Sequence, residues 1–397
     1  MKKMLPYTVL TFLVCLAYGN TLHHSFHFDD IPSILEKPWV RGLDKIPDFI
    51  FSYSQRPLVI LSFNINYAIS GFKEWSYHVF NITFHLLVVF LVYRLGQLIV
   101  SHISQKNSSL ANASNRIPLL AALIFAVHPL NTQAVTYISS RSSIMATMFY
   151  LVAIILFFEG LYKKENLEKK TNYIFFVGAV ISFGIGFLCK LIVISLPAML
   201  FAFHYYFISN QNLKIWLKQQ WKWILGVGGL LASALLFKKI YGSGLLKASI
   251  VDLTAWDYFR TQIGVIPFEY FRKIIFPFNL TIEPGFQVVQ HWRSLIPICG
   301  IIILGIFFIL LIKLSGIKKQ SKKFSPEAFG LIWILVTLSP TSSFVSLLDV
   351  AAEHRTYLPL IGFSIALASI LVRLNCFIQH CDQRKLISQD RKKKESK

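Results

Sequence analysis

The chain has 397 residues, 54% of them hydrophobic and only 15% charged, with a mean hydropathy of +0.55. A soluble domain carries about 25% charged residues, so a soluble single domain and a disordered chain are both excluded. The expected class is an all-α polytopic membrane protein, in which about ten spans of about 20 residues each would use roughly half the chain. The net charge of +21, from 40 Lys+Arg against 19 Asp+Glu, would point to nucleic acid in a soluble protein. Here the excess lies in short runs beside apolar segments: Lys163-Lys164, Lys169-Lys170, Lys318-Lys319, Lys322-Lys323 and Arg391 to Lys394. Cytoplasmic loops carry such runs under the positive-inside rule. No basic stripe interleaves with aromatics as single-strand binding requires, so nucleic acid is not expected as a partner.

Along the chain, Lys2-Lys3 and the apolar run Leu5 to Ala17 read as an uncleaved first span with its N-terminus inside. Residues 20–77 then form a large first outer loop carrying Asp29, Asp30, Trp39, Arg56 and Trp75. Further spans are expected at 78–99, 118–137, 142–159, 173–189, 191–207 and 223–237, with lysines including Lys214, Lys218 and Lys222 in the inner loops. Residues 238–294 make a second outer region. Its apolar stretch 262–278 holds Gln262, Glu269, Arg272 and Lys273. Were that stretch a full span, Lys313, Lys318, Lys319, Lys322 and Lys323 would emerge outside. An interfacial or re-entrant segment avoids this. Spans at 295–313, 328–346 and 356–374 return the chain to the cytoplasm, giving ten full spans plus one interfacial segment. Residues 1–375 then form one transmembrane domain, and 376–397 a basic cytoplasmic tail without periodicity, expected to be disordered. No repeat of 20–50 residues is present. Cys15, Cys189, Cys299, Cys376 and Cys381 lie in or near apolar stretches and suggest no disulfide framework. Cys376, His380 and Cys381 make half a metal site without a second cluster, so no metal site is assigned.

Ionisable residues at a membrane edge are costly and usually functional. The outer side collects Asp29-Asp30, then His128 with Arg141, then Asp349, Glu353, His354 and Arg355, with Lys190 at an outer turn. Such a ring suits a cavity for an anionic, lipid-linked substrate. Moving a sugar off a polyprenyl phosphate needs a carboxylate to take the acceptor proton and cations to hold the phosphate as the bond breaks. Base and clamp must come from different loops, because they serve opposite sides of the anomeric carbon. Inversion follows if no covalent sugar–enzyme intermediate forms. Each group also has a bland reading. The aspartates can be a solvated helix start, and His128-Pro129 a simple helix end. Arg141 can be an interfacial anchor, and Glu353 with Arg355 a local ion pair. Charge placement alone leaves an enzyme level with a transporter or flippase of a lipid-linked or anionic solute. A polysaccharide polymerase or ligase is a third reading.

The wording of the sequence separates these readings. Phe26-His27-Phe28-Asp29-Asp30, with Ile34 and Val40, resembles the first outer loop of the transmembrane and tetratricopeptide-repeat O-mannosyltransferases and their bacterial relatives. Arg56-Pro57-Leu58, Leu61-Ser62-Phe63, Asn66-Tyr67 and Gly71, leading to His78, Asn81 and His85, is similar to their approach to the second span. Phe125 to Val135 (FAVHPLNTQAV), ending at Ser140-Arg141-Ser142, resembles their third-span motif. Arg260-Thr261-Gln262 with Tyr270, Pro277 and Leu280 matches a looser pattern, and Ala352 to Pro359 (AEHRTYLP) before Gly362 their last motif. The resemblance covers about residues 20–365 and implies a GT-C-type glycosyltransferase using a polyprenyl- or dolichyl-phosphate sugar on the non-cytoplasmic face. By the same resemblance Asp29, ahead of Asp30, is the base. His128, Arg141, Lys190, Arg260, Glu353, His354 and Arg355 line the donor phosphate side, and Arg56 and Trp75 the acceptor side. Two departures stand out. The chain has no tetratricopeptide repeats, which puts a folded protein acceptor in question beside a lipid or glycan. It also reads Lys190-Leu191 where Lys-Glu is expected. A bacterial inner membrane, with the site facing the periplasm, is the expected location.

Overall fold

The computed structural model describes residues 4–42, 56–106, 116–163, 169–208, 215–222, 225, 228–229, 253–315, 325–347 and 349–395. The described residues are helical with irregular connections and contain no strand. In chain order the principal helices are α1 (Leu5–Tyr18), α2 (Pro57–Ser70), α3 (Glu74–Lys106), α4 (Ile117–Val127) and α5 (Arg141–Lys163). They continue with α6 (Lys169–Cys189), α7 (Leu196–Phe203), α8 (Ala255–Val265), α9 (Leu295–Ser315), α10 (Pro326–Leu338) and α11 (Pro359–Glu395). Most of the expected span at 223–237, all of 238–252, and the lysines at 214, 318, 319, 322 and 323 lie outside the described residues.

Among the described residues, five helical stretches are long and apolar enough to cross a membrane: Leu5–His23, Glu74–Ser101, Ile138–Leu161, Leu295–Ser315 and Pro359–Gln379. A sixth is a bent pair, Ile117–Val127 with Pro129–Thr136, turned by 54°. This is fewer than the ten spans expected from hydropathy. Apolar helices do occupy Tyr173–Cys189, Leu191–Tyr206 and Pro326–Leu338, but each has only 10–17 residues. One expected span, 223–237, lies mostly outside the described residues, and elsewhere helices end or bend at local breaks. Lys190 is fully extended (φ −161°, ψ 141°) between α6 and a 3-10 turn. Pro129 forces His128 out of helical geometry (ψ 126°). Pro340 follows the end of α10 by two residues.

The segment 262–278 is not among the candidate spans. It is α8 followed by a π turn (Ile266–Phe271) and one helical turn (Arg272–Ile275), and it lies against residues 350–353. The tail departs from expectation in the opposite direction, since α11 stays helical to Glu395 rather than being disordered. Its residues after Gly362 include neither Gly nor Pro and are rich in Leu, Lys, Arg and Gln. Extending an existing helix also avoids the nucleation that an isolated segment requires.

A close crossing of α10 and α11 shapes the packing. A Cβ on Gly330 of α10 would stand 2.3 Å from the Gly362 carbonyl oxygen of α11, and a Cβ on Gly362 would stand 2.5 Å from the Gly330 carbonyl oxygen. Only hydrogen fits between these backbones, as at the small-residue contacts of membrane helices. Trp333, fully buried on α10, donates Nε1–H to the Leu358 carbonyl at 2.8 Å and fixes the entry to α11. At the other end of the bundle, Arg94 of α3 pairs with Glu159 of α5. There Glu327 also accepts from Ser369 Oγ at 2.7 Å and pairs with Arg373 Nε at 3.1 Å. The remaining ionisable groups discussed below gather at the opposite end.

Candidate functional site

The loop after α1 carries the adjacent aspartates, and its backbone there is strained. Phe28 has φ +50°, an outlier for a bulky residue, while its ring is 53% exposed. The two carboxylates then part company. Asp30 is fully buried: Ser139 N–H and Oγ–H donate to its Oδ1 at 2.7 and 2.5 Å, and His27 N–H approaches its Oδ2 at 3.4 Å. Burial pushes this carboxyl above its ordinary range, opposed by those hydrogen bonds. Asp29 is exposed. Its backbone N–H donates to the Tyr137 hydroxyl at 2.8 Å, and its carboxylate faces both Tyr137 and Arg56.

Arg56, on the loop leading into α2, donates Nη1–H to Ser142 Oγ at 3.2 Å. Lys190, in the extended break after α6, donates Nζ–H to Ser143 Oγ at 2.7 Å. Burial, with the neighbouring Arg56 and Arg355 cations, holds the Lys190 ammonium well below the usual lysine range against the pull of Asp349. Burial, then Lys190, Arg355 and Arg56, likewise drive His354 well below the usual imidazole range. The His354 imidazole and these basic side chains are therefore electrostatically coupled. Arg355 is buried and donates to the carbonyls of Asp349 (2.7 Å) and Val350 (3.3 Å). Asp29, Arg56, Lys190, Asp349, His354 and Arg355 therefore form one electrostatic group, drawn from four separate loops.

The other candidates occupy closed networks. Arg141 opens α5 with no exposed surface. It donates to Asn81 Oδ1 (2.7 Å), Ser62 Oγ (2.9 Å), Asn66 Oδ1 (2.6 Å) and the Tyr77 carbonyl (2.9 Å), and its guanidinium lies 4.6 Å from the Phe63 ring centre. Both nitrogens of His128 are in use: Nε2–H donates to the Ile274 carbonyl (3.1 Å), and Nδ1 accepts from Leu130 N–H (3.2 Å). Glu353 pairs with Lys273 at 2.9 Å rather than with Arg355, and also accepts from Thr281 N–H at 2.8 Å. Lys273 bridges onward to Glu269 at 2.7 Å. Arg260 is tied to Asp257 and to the Val289 carbonyl. Trp75 is exposed on the first turn of α3. Tyr137, Ser139, Ser142 and Ser143 were not among the sequence candidates. The Ser140-Arg141-Ser142 motif passes through them, but uncharged hydroxyls give no signal of their own. Lys273 was seen only as an obstacle to a span.

With this geometry in place, the chain can be set beside known proteins. Over 394 residues it is 25% identical to the protein O-mannosyl-transferase F38B6.6 of Caenorhabditis elegans, which covers 94% of this chain and 52% of the relative. Over 369 residues it is 24% identical to human protein O-mannosyl-transferase TMTC4, covering 84% of this chain and 49% of the relative. Mouse protein O-mannosyl-transferase TMTC3 is 28% identical over 196 residues, 46% of this chain and 20% of the relative. The chain thus spans between a fifth and about half the length of these relatives. No protein-family model matches it, and no solved structure does. The chain resembles the TMTC O-mannosyltransferases through nearly its whole length, as its motifs imply.

Proposed function

We propose that this protein is a membrane glycosyltransferase that moves a sugar from a polyprenyl-phosphate carrier to an acceptor hydroxyl on the non-cytoplasmic face. Asp29 takes the acceptor proton. The acceptor oxygen then attacks the anomeric carbon, and the bond from that carbon to the phosphate oxygen breaks with its electron pair leaving on the carrier. A single displacement inverts the anomeric centre. Arg56, expected on the acceptor side, is assigned instead to the phosphate because it is coupled to Lys190 and His354. With Lys190 and Arg355 it receives the second negative charge that appears on the departing phosphate, where preorganised cations contribute most. Neutral His354 is a hydrogen-bond partner for the same group. In this reading Asp30, His128, Arg141, Arg260 and Glu353 hold the frame, and Trp75 stands on the acceptor side.

The observation that carries the proposal is the placement of exposed Asp29 beside Arg56, which is itself coupled to Lys190, His354 and Arg355. An exposed carboxylate and several cations from distant parts of the chain are electrostatically coupled, which supports reading them as base and phosphate clamp. The names of the relatives favour mannose as the sugar and a protein hydroxyl as the acceptor. A ten-span topology in a bacterial inner membrane, with the site facing the periplasm, completes the proposal. The donor is a substrate rather than a resident cofactor.

The test is Asp29→Asn in purified protein reconstituted in nanodiscs. With polyprenyl-phosphate mannose as donor and a serine/threonine peptide pool as acceptor, released polyprenyl phosphate is measured. The expected outcome is loss of transfer with donor binding retained. Full activity in that variant overturns the assignment of the base.

A further inference from the structure

The residues just before and at the start of α5 touch Asp29, Arg56 and Lys190 of this group, and Asp30 beside it. Tyr137 and Ser139 hold the two aspartates, 108 and 109 residues away in sequence. Ser142 and Ser143 hold Arg56 and Lys190, 86 and 47 residues away. Between them Arg141 runs inward and fastens the same turn to α2 and α3 through four hydrogen bonds. Four hydroxyl-bearing side chains within seven residues thus face four ionisable ones, two on the carboxylate side and two on the cationic side.

The neighbourhood of Asp29 shows why this matters. The strained, exposed Phe28 receives little burial in return for its left-handed backbone. The Asp29 N–H bond to Tyr137 holds the chain one residue later. The Tyr137 ring is itself fixed by stacking on His27, with centres 5.3 Å apart and planes 26° apart.

We propose that the turn 137–143 is the positioning element of the site, with Tyr137 setting Asp29 for proton abstraction and Ser143 setting Lys190 against the donor phosphate. These are positioning residues: each acts through the group it holds. The inference rests on the proposed function above and adds how the two halves are kept in register. Displacements of about 1 Å in a reacting group can lower rates about 100-fold, so single hydrogen bonds at this turn carry large kinetic effects.

The experiment separates the two halves by readout, using the full chain in nanodiscs with polyprenyl-phosphate mannose as the probe. Tyr137→Phe removes one oxygen atom, and kcat for release of polyprenyl phosphate should fall by about tenfold or more while donor Kd stays within about twofold. Ser143→Val should weaken donor binding by about fivefold, whereas Ser143→Thr, of the same shape but bearing a hydroxyl, restores it. Wild-type kcat in Tyr137→Phe overturns the inference, as do equal donor affinities in the Thr and Val variants. So does a parallel loss of kcat, donor affinity and thermal stability in all three. If Tyr137→Phe does not fold, the isosteric Ser143 pair decides alone. Asp29→Asn is measured alongside. Inactive Asp29→Asn beside fully active Tyr137→Phe removes only this inference, whereas active Asp29→Asn removes the underlying reading.

Discussion

Arg141 is where the structure assigns a role most different from the one its charge implies, and Arg141→Lys tests the difference. The guanidinium makes four hydrogen bonds to acceptors on two other helices, α2 and α3. Those acceptors are themselves fixed: Asn81 Nδ2 donates to the Val135 carbonyl at 3.1 Å, and Asn66 Nδ2 to the Ser76 carbonyl at 3.1 Å. A lysine ammonium is a point charge on a flexible stem and cannot span a fork. It reaches about two of the four acceptors and strands the rest in a site without water. A stranded partner of a charged group costs about 1.5–3 kcal/mol in a soluble core, and measured membrane interhelical bonds reach about 1.7 kcal/mol. Two stranded acceptors at about 1–1.5 kcal/mol each amount to about 2–3 kcal/mol, and the contact with Phe63 adds about 0.5–1 kcal/mol. The assay is SDS-induced unfolding in mixed micelles, paired with donor binding to the folded protein. The expected result is a loss of about 3 kcal/mol with donor affinity changed less than about twofold. Wild-type stability with a tenfold weaker donor would refute the reasoning and place the guanidinium on the phosphate.

Three further outcomes follow from contacts away from the clamp. Gly330→Ala and Gly362→Ala each drive a methyl group into the facing carbonyl oxygen, so each should lower unfolding stability by about 1–3 kcal/mol. A cysteine crosslink between α10 and α11 would report the widened gap. Glu353→Ala leaves buried Lys273 with Glu269 alone and strands Thr281 N–H. It should cost about 3–5 kcal/mol, with a Glu353→Leu/Lys273→Met double variant recovering part of the loss in the same unfolding assay. For Asp30 the sign follows from its raised pKa. The folded state holds the proton more tightly than the unfolded state, so its contribution to stability is complete below the ordinary value of 3.8 and is lost as pH rises through the raised folded value. Wild type should therefore lose stability relative to Asp30→Asn as pH rises from 3.8 toward neutrality. A difference that is flat or opposite in sign in pH-resolved melts would refute the assignment.

Composition was sufficient to read a helical membrane protein, and the ordering of motifs was sufficient to read its likeness to O-mannosyltransferases. The helix lengths were not legible. The break at Lys190 falls where two spans were expected to meet, but the apolar helices on either side, Tyr173–Cys189 and Leu191–Tyr206, have only 10–17 residues each. The tail misled in the other direction: lack of amphipathic period says nothing about a helix extended from one already formed. Glu353 and Arg355, two apart in a short turn, look like partners on paper. The carboxylate instead meets Lys273, 80 residues earlier in the chain, and such a pairing leaves no local trace.

The site was half legible for a related reason. Grouping these charges was within reach of the sequence, because apolar runs set which loops lie between helices. Sorting those charges was not, because a buried ion is tolerated when its hydrogen bonds are satisfied, and that depends on which side chains converge in space. Arg141, Asp30 and Glu353 look as catalytic in sequence as Arg56, Lys190 and Asp29, yet the first three end in saturated networks. The second three stand close to one another, held through hydroxyls that carry no charge. The discriminating feature is therefore Tyr137, Ser142 and Ser143, which hold the three charges that stay outside those saturated networks and that the proposed function assigns to the substrate.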